Sequence, residues 1–423
     1  MGKYTILNDP KIDNCIDQKL DQIVPILKAQ FPQAISIVLG GGFGRGEGSV
    51  RIRDGVISLQ RDFDIYLIFK AKRIDWAAIR RVQHLLHDQI GVTQSNDYEL
   101  LDDFHIDLCA FKLDDISIYP DTHTYDLKSN ITLYGEDIRS LVTWTAYDIP
   151  FRCGLRILLE QLYKMTCVFS LDYLKSGVPR ELEGNILREI SKIYIYMGAA
   201  LSIFARCYTT SDVKRVDILK NAFKTTFVDL DHTVPEFIKR VEESTRYKVS
   251  PESNLNYDII DYWFETRQTL ELVLKYCLKK YLSIESNNWI EISSSLEKYL
   301  AKTFYLPLIT LKLRKSSIPE CLVCPANYLY NLTSNTCLTA TLLRDKILFL
   351  PLLSASSSPA IKLFSVLPLI LFSVDRASLA INETYLMEAN RRLKFIPLPE
   401  SHNPWDDLRL KVLKFNSITS ITI

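Results

Sequence analysis

Gly40-Gly41-Gly42-Phe43-Gly44-Arg45-Gly46-Glu47-Gly48-Ser49, followed by Asp62-Phe63-Asp64, is the stretch that decides the fold. Six glycines in ten residues give a loop that reaches left-handed backbone or lets a ligand approach the main chain, and such a loop is costly unless it is used. It follows Ala34 to Leu39, a short apolar run that suits a buried strand. The loop leads into Val50 to Leu59, where Asp54-Gly55 is a favoured two-residue hairpin turn. A second strand, Phe63 to Phe69, then carries Asp62 and Asp64 at its start.

Working outward, Asp17 to Gln30 predicts a helix, with Leu20, Ile23, Val24 and Leu27 on one face. A helix from Asp75 to Gln89 and a third strand from His105 to Phe111 follow the second strand. Strand, helix, strand in this order predicts an α+β fold built on a small mixed sheet backed by helices. From Ile138 onward the pattern turns to long helical stretches, at Leu155 to Phe169, Glu181 to Cys207, Val213 to Phe223 and Tyr257 to Leu282. The expected organisation is a mixed-sheet domain at 1–146, a helical domain at 147–282, and a mixed, mainly helical region at 283–423 that is either separate or continuous with the second.

Residues two apart on a strand point to the same face, so Asp62 and Asp64 converge on one point. Two bare carboxylates there repel each other, and a hard divalent cation relieves the repulsion. Asp107 is a single charge in an otherwise apolar strand, where an unpaired carboxylate is expensive. A sheet that sets this strand beside Phe63 to Phe69 completes a three-carboxylate, two-metal site suited to in-line phosphoryl displacement. Successive amides of the glycine loop form a nest for phosphate oxygens, with Arg45 adding charge.

At these residues the chain resembles the polymerase β-like nucleotidyltransferase superfamily, in its small-molecule and minimal branches. Gly41-Gly42, Asp62-Phe63-Asp64 and Asp107 match its pattern, and Leu133-Tyr134-Gly135 is similar to a segment that closes the catalytic domain. The resemblance implies an enzyme that moves a nucleoside monophosphate from a nucleoside triphosphate to an acceptor hydroxyl and releases pyrophosphate. It implies magnesium, or manganese in its place, on Asp62, Asp64 and Asp107, and phosphates against Gly41, Gly42, Phe43 and Gly44. In one departure, about 20 residues separate Gly42 from Asp62, an excess the Asp54-Gly55 hairpin accounts for. The resemblance covers the first third of the chain.

Lys128, between the third strand and Tyr134-Gly135, is a further candidate for neutralising triphosphate charge, against the default of a solvated lysine. His105 shares a strand face with Asp107, against the default of a structural histidine. Arg152, Arg156, Lys164, Tyr194, Tyr196, Arg206 and Tyr208 are candidate acceptor or base contacts, most of the aromatics reading as core. Lys214, Arg215, Lys220 and Lys224 form a basic face that could touch RNA, or simply a solvated one.

A net charge of +1 supplies no global attraction for polyanions, so a small-molecule or protein acceptor is favoured over RNA. The competing reading is a nucleotide-sensing or antitoxin-like protein that regulates a partner through the same site. Nine scattered cysteines without a secretory leader point to reduced thiols and a cytoplasmic setting, and Cys321 and Cys324 lack the partners of a zinc site. The apolar stretches Ile193 to Ala205 and Leu363 to Val374 fall short of the about 20 residues a membrane-spanning helix needs and read as core.

Overall fold

The computed structural model describes residues 2–70, 73–90, 104–117, 120–251, 255–303, 359–393, 396 and 403–419. Cys321 and Cys324 lie outside them. The fold is mixed α+β, with one four-stranded sheet, a two-stranded ribbon and a mostly helical remainder.

Helix α1 (Pro10–Gln30) begins about two turns before the expected Asp17. Asp9 caps it by accepting from the Lys11 amide, and Pro10 sits in the first turn, where a missing N–H is harmless. Its buried residues, Ile12, Ile16, Leu20, Ile23 and Leu27, recur at three and four residues and form one face. Strand β1 (Ala34–Leu39) follows, then the single turn α2 (Gly41–Gly44). β2 (Ser49–Arg53) and β3 (Val56–Gln60) form the expected hairpin. Asp54 (φ 51°) and Gly55 (φ 78°) both take left-handed backbone, which matches the twist of the flanking strands.

β4 (Asp62–Phe69), α3 (Trp76–Ile90) and β5 (His105–Lys112) form a parallel crossover, and β6 (Ile131–Gly135) completes the sheet in the order β5-β4-β1-β6. β1 is antiparallel to both β4 and β6. Alternation along the strands sends Phe63, Ile65 and Leu67 of β4, with Ile106 and Leu108 of β5, into a core shared with α1 and α3. The opposite face carries Tyr66 and Ile68, covered by Ile116, Leu127 and Trp144 at one end. The other end of that face bears Asp62, Asp64 and Asp107.

Among the described residues the further helices of ten residues or more are α4 (Phe151–Cys167), α5 (Arg180–Phe204), α6 (Asp212–Thr225), α7 (Phe237–Val249), α8 (Ile259–Leu282), α9 (Trp289–Thr303), α10 (Pro359–Leu371), α11 (Glu383–Arg392) and α12 (Pro404–Thr419). Two compact units result, divided elsewhere than at the expected 146/147 and 282/283. The first joins Met1–Gly154 to Arg180–Tyr257, so α5, α6 and α7 pack with the sheet instead of forming a separate helical domain. The physical reason is a buried set of ion pairs between sheet loops and these helices, described below. The second unit joins Leu155–Pro179 to Asp258–Ile423.

Within the second unit, long polar side chains close off helix ends. Arg409 Nη2 and Nε donate to the Cys167 carbonyl at 2.9 and 3.1 Å, and Trp263 Nε1 donates to that of Met165 at 3.3 Å. Arg267 Nη1 donates to the carbonyls of Val374 and Leu371 at 2.5 and 3.1 Å. The Leu363 to Val374 stretch is buried here, and Ile193 to Phe204, apart from the exposed Tyr196, is buried in the first unit. Among the described residues no helix is long and apolar enough to cross a membrane.

Candidate active site

The parallel register of β4 and β5 pairs Asp62 with His105 and Asp64 with Asp107, so two adjacent strand starts deliver three carboxylates and an imidazole to one face. His105 Nε2 lies 3.8 Å from Asp62 Oδ2 and 3.7 Å from Asp107 Oδ2. One donor atom from each of these three residues falls within 4.8 Å of the others. Gln83 on α3 donates to Asp107 Oδ1 at 3.3 Å and helps to orient it. The side chains of Asp62, His105 and Asp107 remain 34, 28 and 44% exposed, which leaves ligand positions open to water or phosphate oxygens.

Asp64 differs from its neighbours. It stands against the glycine turn: a Cβ on Gly41 would lie 1.6 Å from Asp64 Oδ2. Burial, then the charges of Asp62 and Asp107, raise the Asp64 pKa well above the usual carboxylate value, against the opposing pull of Arg45 and Lys248. Three clustered acids, two of them with solvent-open oxygens beside an imidazole, fit a divalent cation. The cation-sized group gathers Asp62, His105 and Asp107, while the Asp64 carboxylate lies to the side of the turn.

The turn itself is fixed by the sheet. The Gly40 amide donates to the Asp64 carbonyl at 2.7 Å, and the Gly44 amide to the Gly40 carbonyl at 2.8 Å. Gly41, Gly42 and Phe43 lie between these bonds, so their amides precede the first intrahelical donor, the Gly44 amide. Gly41 has φ 58°, which an L side chain rarely adopts. The Phe43 ring is buried edge-on against Phe63, with centroids 5.0 Å apart, and anchors the turn to the core.

Arg45 takes a different position from the expected phosphate contact. Its guanidinium is buried beside Asp212 at 3.7 Å and Asp126 and Glu47 at 3.9 Å. Burial disfavours its charge, but Asp212 and Asp126 hold its pKa above the ordinary arginine value. Asp212 also pairs with Lys248 and Arg215, each at 2.5 Å. These cations overcome the effect of burial and hold the Asp212 carboxyl well below the usual range. Burial keeps Asp126 above it, despite Arg45 and the Tyr208 hydroxyl that donates to Asp126 at 3.0 Å. Glu47 closes the set by accepting from Ser211 Oγ at 2.5 Å and from the amides of Asp212 and Val213 at 2.9 and 3.2 Å, so it caps α6.

Glu47→Ala removes that cap and one counter-charge of Arg45 together. The expected loss of stability is about 3–5 kcal/mol, the range for breaking a buried ion pair from one side. Urea unfolding checks it: the midpoint falls while the slope stays constant.

Lys128 is not brought to the acids. Its Nζ donates to the Trp144 carbonyl and lies 4.9 Å from the Tyr125 ring centre. The basic face at 214–224 is also interrupted: Arg215 is buried on Asp212, and Lys220 lies 3.2 Å from Glu242. Tyr194 is core and Tyr208 serves the ion set. Arg206 donates to the carbonyls of Ile149 and Tyr147 at 2.7 and 2.8 Å. Sequence reasoning missed Glu47, Asp126, Asp212 and Lys248 as partners of the glycine loop, because acids and bases at 47, 126, 212 and 248 share no local spacing. Compared with protein-family models and with curated proteins, the chain matches none.

Proposed function

We propose that the first unit is a metal-dependent nucleotidyltransferase, with β1, β4, β5 and β6 as its palm. The carrying observation is the register that sets Asp64 beside Asp107 on parallel strands, with Asp62 one step along and a glycine turn hydrogen-bonded to the same strand.

The amides of Gly41, Gly42 and Phe43 receive phosphate oxygens of the nucleoside triphosphate. Asp62 and Asp107, with Asp64 behind them, would hold magnesium or manganese. When bound, that cation supplies charge neutralisation and polarisation of the phosphoryl oxygens. Asp107, the most exposed of the three candidate ligands, accepts the proton of the acceptor hydroxyl. The acceptor oxygen forms a bond to the α-phosphorus as the bond from the α-phosphorus to the bridging oxygen breaks, and pyrophosphate leaves with the electron pair. In-line placement contributes through proximity and orientation.

The reading is tested by incubating the protein with magnesium and each α-labelled nucleoside triphosphate, in the presence of fractionated metabolites, proteins or RNA from a cell extract. Label should move to one fraction and depend on magnesium. Metal-dependent triphosphate binding without transfer to any fraction would reject the transferase and leave the nucleotide-sensing alternative.

A further inference from the structure

A cavity of about 40 Å³ lies in the first unit beside the start of β4. Arg51 of β2, Gln60 and Arg61 before Asp62, Arg188 of α5, and Tyr247 and Lys248 of α7 all line it. Among the described residues its wall carries four cationic side chains and no Asp or Glu. Outside the wall, Arg61 lies 3.5 Å from Glu189, Lys248 lies 2.5 Å from Asp212, and Arg188 donates to Asn185 Oδ1. Arg51 is half-buried and makes no ion pair among the described residues. Arg61 has φ 81°, a backbone state that a non-glycine residue adopts only where its surroundings impose it.

The volume is roughly three times what a single water needs, which suits one tetrahedral oxyanion and nothing much larger. Several guanidinium and ammonium groups around so small a space favour a dianion with oxygens in several directions, and arginine matches phosphate oxygens in paired fashion. Arg51, Tyr247 and Pro251 also line a second, wider cleft of about 450 Å³, where Leu187 and Leu255 add apolar surface. That is the size range of a small-molecule site.

We propose that the small cavity binds the phosphate group of a phosphorylated small-molecule acceptor whose remaining atoms lie in the wider cleft. This rests on the nucleotidyltransferase reading for the word acceptor, while the phosphate site stands on the cavity alone. The seat is sequence-adjacent to the acids, since Arg61 precedes Asp62, and no residue of the glycine turn lines it.

The test is calorimetric titration of the full chain with inorganic phosphate and with glycerol 3-phosphate in EDTA, where no divalent cation assists. Saturable binding is expected. Arg51→Ala and Arg188→Ala should each weaken it about tenfold or more, the scale for losing one charge-assisted hydrogen bond. Arg188→Lys should retain much of it, and Lys70→Ala, an exposed side chain beside Glu136 and outside the wall, should leave it unchanged. Absence of saturable binding, or equal affinity in both folded alanine variants, overturns the proposal. Should one alanine variant fail to fold, the other decides.

A second titration adds magnesium and a non-hydrolysable triphosphate analogue. Phosphate that still binds supports the acceptor seat. Phosphate displaced by the analogue gives the cavity to the nucleotide and overturns that assignment. An analogue that does not bind at all sinks the nucleotidyltransferase reading, and the EDTA titration then decides the anion site by itself.

Discussion

Asp64→Asn should abolish nucleotidyl transfer while making the metal-free protein more stable. The loss of rate is expected at about 10²–10³-fold or more, the range for removing one preorganised electrostatic contact at a reacting centre. The gain in stability follows from the same burial. Asp64 binds its proton more tightly in the folded chain than in the unfolded one, chiefly because it is buried and then because Asp62 and Asp107 repel its charge. Between the ordinary carboxylate value and the raised one, the native state therefore holds more protons, and stability falls as pH rises. Asparagine keeps the shape and loses the charge.

In EDTA at neutral pH, thermal unfolding of Asp64→Asn should lie about 2–4 °C above that of the native chain, the shift that 1 kcal/mol produces in a domain of 150–250 residues. The gap should close as the pH falls below the ordinary carboxylate value. Magnesium should raise the native midpoint and have a smaller effect on the variant, because a ligand stabilises by mass action only where it binds. A variant less stable than the native chain at neutral pH would show that Asp64 is held by a partner and not strained by its neighbours.

Gly41→Ala should be equally severe for activity and opposite in sign for stability. The new methyl meets Asp64 Oδ2 at 1.6 Å, and the backbone at φ 58° disfavours any L side chain by about 1–2 kcal/mol before that clash is counted. Either the turn or the carboxylate must move, and both are parts of the proposed site. Thermal unfolding and metal-dependent nucleotide binding check it together: a lower midpoint with lost binding is expected. Gly55→Ala is the control, because that glycine also has positive φ but meets nothing within 4 Å. It should cost stability with little loss of nucleotide binding.

The acids, the glycine turn and the hairpin were legible because each is a local pattern. Asp-x-Asp needs only the two-residue period of a strand, and Asp54-Gly55 needs only the turn it makes. The adjacency of Asp64 and Asp107 stands in the sequence only as a condition, that the two strands be neighbours, and the parallel register of β4 and β5 meets it. The start of α1 was missed although Asp9-Pro10 is a local signal, because the apolar periodicity was read from Leu20 and its neighbours. Arg45 and Lys128 were misplaced for a deeper reason: a cation near a glycine loop reads as a phosphate ligand until its tertiary partners are known. Those partners lie far along the chain for Arg45, at Asp126 and Asp212. The same blindness set the boundary near residue 146, since the change from strands to helices in composition does not show which helices pack on the sheet.

The ion set around Arg45 bears on how the protein can be cut and recombined. Glu47 needs Ser211 and the start of α6, and Asp126 receives its hydrogen bond from Tyr208. A fragment ending at residue 146 would keep every proposed metal ligand and yet strand Arg45, Glu47 and Asp126 without the groups that balance them. The transplantable piece is thus discontinuous: a graft or a shuffled homologue has to carry residues 180–257 along with the sheet, and the 155–179 excursion between them is where a linker could be substituted.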